Sequence, residues 1–175
     1  MKTSAIRSPL RGLVGLNKSV RLFAVLLTAA IVSPLARAAT DEIFNIGGDS
    51  SEEGDQFIDL NSYSVTTITS IYVQGGADAA SPEEYETVSA SAGAALGFAY
   101  SSDSNSGLAN ASAHATVFAI NITKDGFGHW IAESVTTNDG TYYDVDLGTG
   151  EIELAASGSA NGPYSGASAY ASITY

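Results

Sequence analysis

Between Thr87 and Tyr100 the chain reads Thr-Val-Ser-Ala-Ser-Ala-Gly-Ala-Ala-Leu-Gly-Phe-Ala-Tyr. Side chains on a β-strand alternate sides, so Val88, Ala90, Ala92, Ala94, Leu96, Phe98 and Tyr100 share one face. Ser89, Ser91, Gly93, Ala95, Gly97 and Ala99 take the other. Residues 108–123 repeat the pattern, with Ala109, Ala111, Ala113, Ala115, Val117 and Ala119 opposing His114, Thr116, Phe118, Ile120 and Ile122. No stretch of the mature chain carries a helical stripe, and this period-2 alternation predicts an all-β protein.

Alanine rows bury on the order of one or two methylenes each, so two sheets must approach closely to hold together. Strands of 14 to 16 residues would be roughly 45–55 Å long at about 3.3 Å per residue, and glycine in a strand marks a bend. Bulges at Gly93, Gly97 and Gly107 are therefore expected. Working outward, β-branched residues cover 63–74, and further strands are expected over 129–137, 141–147, 151–157 and 164–175. Gly75-Gly76, the polar run 101–107, Asn138-Asp139-Gly140, Gly148-Thr149-Gly150 and Asn161-Gly162-Pro163 punctuate them. The expectation is an antiparallel meander of about seven strands folded as a β-sandwich.

Charge divides the chain. Lys2, Arg7, Arg11, Lys18, Arg21 and Arg37 are six of its seven basic residues, and all 19 carboxylates follow them. A basic segment, the apolar run 22–32, the breaker Ser33-Pro34 and the small-x-small triplet Ala36-Arg37-Ala38 together predict a signal peptide over 1–38. The apolar run is too short for the roughly 20 residues that span a bilayer. The remainder has Lys124 alone against 19 carboxylates, a net charge of −18. Residues 39–56, with Asp49, Glu52, Glu53 and Asp55, read as a flexible acidic lead-in, and 57–175 as a single β domain.

Several chemistries drop out. One lysine cannot neutralise a phosphate backbone, so nucleic acid and anionic membrane surfaces are disfavoured partners. Without cysteine there is no thiol catalysis, thiolate metal site or disulfide. His114 and His129 are the only histidines, and neither has a neighbouring carboxylate, serine motif or second histidine at ligand spacing, so no enzyme is expected. Asp144 and Asp146 flank the Gly148-Thr149-Gly150 turn with Glu151 and Glu153. Paired in a hairpin, these four carboxylates would repel unless a hard cation such as calcium bridged them. Trp130, with Phe127, Tyr142 and Tyr143, is the candidate ligand-binding set, since aromatic faces stack on sugar rings and tyrosine gives contact area at low entropy cost.

The final dozen residues alternate through Ala171 and Ile173 to Tyr175. This ending resembles the closing strands of outer-membrane barrels and of secreted pilus subunits, a likeness that implies an exported β protein. A barrel further requires large apolar residues facing lipid, where this chain has Ala, Ser and Gly. The leading functional expectation is a secreted, non-enzymatic structural or adhesive protein of a cell-surface fibre or biofilm matrix. It would assemble with itself or other matrix components through β-strand contacts, gated by cations. The alternatives are a monomeric extracellular carbohydrate-binding β-sandwich with a polysaccharide partner, and a small outer-membrane β-barrel.

Overall fold

Alternation does produce strands, ten of them where the sequence suggests about seven. They are β1 (Thr40–Gly48), β2 (Ser51–Asp59), β3 (Thr67–Ala80), β4 (Thr87–Leu96), β5 (Ala99–Leu108), β6 (Asn110–Lys124), β7 (Trp130–Thr137), β8 (Gly140–Asp146), β9 (Glu151–Asn161) and β10 (Tyr164–Thr174), with one 3-10 turn at Leu60–Ser62. The computed structural model describes residues 38–175; apart from Ala38, the expected signal peptide lies outside them.

The strands form two antiparallel sheets packed as a β-sandwich, one of six in the order β1-β10-β3-β6-β7-β8 and one of four in the order β2-β9-β4-β5. Among the described residues both sheets are open, with outer strands β1, β8, β2 and β5, so the barrel reading is corrected: no ladder there closes either sheet on itself. Meander connectivity survives only within β4–β5 and β6–β7–β8. Every other connection crosses between sheets, because each sheet must place its apolar face against the other. Residues 39–56, expected as a flexible lead-in, instead hold β1 and the first six residues of β2, strands paired along their lengths with β10 and β9.

The core is the pair of inner faces. Ile68, Ile71 and Val73 of β3 and Val117 and Ile122 of β6 meet Val88 and Leu96 of β4 and Ile152 and Leu154 of β9, with rows of buried alanine between them. Small side chains bring the backbones together. A Cβ built on Gly75 would overlap the carbonyl oxygens of Ser157 and Gly93 in the opposite sheet, and one on Gly158 would overlap that of Gly76. The expected close approach is thus made at glycine, where main chain touches main chain.

The run 87–100 is not one long strand. Gly97, at φ +58, turns the chain so that Leu96 pairs with Ala99 and the polar residues 101–107 return as β5. Along β6 the partner β7 covers only 118–124. The uncovered part of its edge is capped by side chains: Asp103 accepts from the His114 amide (3.1 Å), while Asn138 accepts from the Thr116 amide (3.1 Å) and donates to the His114 carbonyl (2.6 Å).

One irregularity crosses four strands. The β3/β6, β6/β7 and β7/β8 ladders each skip a rung, at Thr69/Asn121, Asn121/Glu133 and Glu133/Asp144. Asn121 and Asp144 are left-handed there, at φ 50 and 52. The inward-facing residues change parity across this line, from Ile71 to Ile68, Ala119 to Ile122 and Val135 to Ala132. The six-stranded sheet is creased along it.

Candidate functional site

Where β5 leaves the Gly97-Phe98 turn, the four-stranded sheet ends above the β7–β8 hairpin, and a cleft of about 470 Å³ opens between them. Ala99, Val135 and Val145 give it an apolar floor. Phe98, Tyr100 and Tyr142 stand around it at 73%, 62% and 54% exposure. Three large rings left in water around an apolar floor cost free energy unless something covers them.

Asp146 forms the polar end. Its Oδ2 lies 2.9 Å from Nδ1 of His129 and its Oδ1 accepts from the Gly148 amide at 2.7 Å. The hydrogen bond to Asp146, and then its charge, raise the His129 pKa above the ordinary 6.5; the same bond, helped by Gly148, lowers that of Asp146. Asp125 accepts from the Phe127 and His129 amides at 2.8 Å each, which fixes the loop carrying the imidazole. The lining of the cleft thus offers stacking surfaces and one carboxylate, held from behind by His129, with neither a serine nor a second carboxylate in it. That is a binding inventory.

The sequence candidates scatter around this site. Trp130 is 2% exposed, and its Nε1 donates to Oδ1 of Asn61 at 3.1 Å, so the proposed stacking ring is a core residue. It turns inward because its backbone is bonded both ways to the 147–148 segment, and the chain at Gly150 closes over the ring. Lys124, the sole lysine after residue 37, reaches the same Asn61 oxygen at 2.7 Å and lies 5.7 Å from the Trp130 ring centre. Phe127 is fully displayed on its loop but does not line the cleft. Tyr142 does line it, whereas Tyr143, its neighbour on β8, projects to the other side of the sheet.

The carboxylate quartet is not assembled. Asp144 and Asp146 belong to β8 in the six-stranded sheet, whereas Glu151 and Glu153 belong to β9 in the other, in register with Asp59 and Phe57 of β2. The expected hairpin across Gly148-Thr149-Gly150 is instead a crossing between sheets. Among the described residues no three carboxylates or histidines are placed to hold a metal ion, so the calcium site has no geometry behind it. Phe98 and Tyr100 stand outside the candidate set read from the sequence because Gly97 reads there as a bulge within one strand, whereas it turns the chain into a hairpin. Gly97 between Leu96 and Phe98 was the available signal for the turn.

The chain matches no known protein family, no curated protein and no solved structure.

Proposed function

We propose that this protein is a secreted, non-enzymatic adhesive β-sandwich of the cell exterior that holds a saccharide of the surrounding matrix in the cleft between β5 and β8. The observation behind this reading is the trio Phe98, Tyr100 and Tyr142, exposed together around an apolar floor. Pyranose rings present an apolar C–H face to such rings, and their hydroxyls pair with an oriented carboxylate such as Asp146. The volume suits a short oligosaccharide rather than a single atom or a helix. A body of net charge −18 also favours an uncharged ligand over an acidic one.

Saturation-transfer NMR against a panel of soluble neutral oligosaccharides tests the reading. The transfer is expected to fall at least tenfold in Tyr142→Ala and to persist in Phe127→Ala, whose ring is outside the cleft. No transfer from any neutral sugar would remove the proposal.

A second reading is polymerisation through strand addition. It is favoured by the four outer strands β1, β2, β5 and β8, each lacking a partner on one side among the described residues. Glu52, Glu53, Asp55 and Asp59 load β2 with charge, and side chains cap the open part of β6. Any such polymer would depend on ionic screening.

A further inference from the structure

Tyr143 directs attention to the outward face of the six-stranded sheet. There Tyr170 of β10, Tyr72 of β3 and Phe118 of β6 form a continuous stripe: Tyr72 and Phe118 are register partners with ring centres 6.0 Å apart, and Tyr72 and Tyr170 lie 6.1 Å apart. The hydroxyl of Tyr72 donates to Oε1 of Gln74 at 2.8 Å, fixing the middle ring. Ile120, one step along from Phe118, shares a row with Tyr143 through Ser134. From β10 to β8 is four strand spacings, so the stripe is roughly 20 Å long at about 4.8 Å per spacing.

Its surroundings identify what it would meet. The flanking positions Ser70, Gln74, Thr116, Thr136, Thr141 and Ser172 are all hydroxyl or amide residues. Carboxylates stand only at its margins: Glu42 on the outer strand β1, Glu133, which accepts a hydrogen bond from Asn121 at 2.5 Å, and Asp144, next to Tyr143 at the crease. A neutral, aromatic, hydroxyl-edged strip on a body of charge −18 suits an uncharged partner that is flat, apolar on its face and rich in hydroxyls. A second copy fits poorly, because stacking this face on itself brings two such charges together.

We propose that this stripe is a second saccharide surface, independent of the cleft, which adsorbs the flat face of an insoluble, uncharged, β-linked polysaccharide. The cleft encloses a short chain from the side; the stripe meets a plane of sugar rings lying side by side. Consecutive residues Tyr142 and Tyr143 serve the two surfaces because a strand points neighbouring side chains to opposite faces.

The test is depletion of the mature chain from solution by microcrystalline cellulose and by chitin particles. Adsorption to at least one is expected, nearly unchanged between low salt and 1 M sodium chloride. It should drop at least tenfold in Tyr72→Ala/Tyr170→Ala and in Thr136→Asp, an exposed threonine whose substitution adds charge beside Phe118 without touching the core. Circular dichroism melting confirms that the variants fold. Tyr142→Ala is expected to adsorb like the parent. Adsorption to neither particle, or adsorption indifferent to the stripe variants, overturns the proposal. So does equal loss in Tyr142→Ala, which would give the effect to the cleft. Sedimentation showing a dimer that the same stripe variants dissolve would instead make the face an interface between copies. Adsorption without soluble-sugar binding would sink the cleft reading and leave this one standing.

Discussion

His129 and Asp146 show what one pair of side chains contributes to the cleft. Each shifts the other: the carboxylate raises the imidazole pKa, and the imidazole lowers that of the carboxylate. A raised histidine pKa means that its stabilising contribution is complete below the ordinary 6.5 and is lost as pH rises through the folded value. A lowered aspartate pKa means a contribution complete above the ordinary 3.8 and lost as pH falls through the folded value. The ion pair is therefore whole between a point below 3.8 and a point above 6.5. Both groups are open to solvent, so the effect on global stability is small. The expected result is an NMR titration of the His129 ring with its midpoint above 6.5, falling in Asp146→Asn. A parent midpoint at or below 6.5 would mean that the pair does not form.

At the level of strands and turns, what could be read in the chain depended on side-chain contrast. The strands buried on one side were legible, because Val88 to Leu96 and Ala111 to Ala119 alternate apolar and polar residues. β5 was not, since at the edge of its sheet it buries little but Ser101 and reads as loop. β1 and β2 were hidden by their carboxylates, which signal solvation and are equally at home on an outer strand. Trp130 was misplaced because an aromatic at a strand start has the same sequence whether it turns in or out. The glycines of the inter-sheet contact were visible only as bends. Their role is steric: Gly75→Ala should force the sheets apart at Ser157 and Gly93 and cost about 2–3 kcal/mol, the usual price of overpacking a filled core. Urea denaturation measures it, and a loss under about 0.5 kcal/mol would mean that the sheets have slack there.

For the whole molecule, the balance lies between four outer strands open on one side among the described residues and a charge of −18 over residues 38–175. Screening at physiological salt shortens the reach of that repulsion to about 8 Å, enough to bring edges within hydrogen-bonding range only when more salt is added. If strand addition operates, electron microscopy of residues 39–175 should show filaments whose abundance rises with sodium chloride and calcium alike at matched ionic strength. This follows because no dedicated calcium geometry exists among the described residues. Monodisperse particles under every condition would remove the polymer reading and leave the proposed saccharide binding alone. Filaments in calcium alone would mean that assembly creates a cation site which the single chain lacks.

The alternation of Tyr142 and Tyr143 also has a hereditary side. Most changes to a gene replace one residue and would alter one surface at a time. Loss of a single codon just before them in β8 would move both tyrosines one step along the strand, sending Tyr142 to the outer face and Tyr143 toward the cleft. One deletion would then edit both surfaces together. Lineages should accordingly tolerate length changes in the 81–86 loop, which borders neither surface, far better than within 140–146, where insertions would be expected to vanish from populations that depend on either surface.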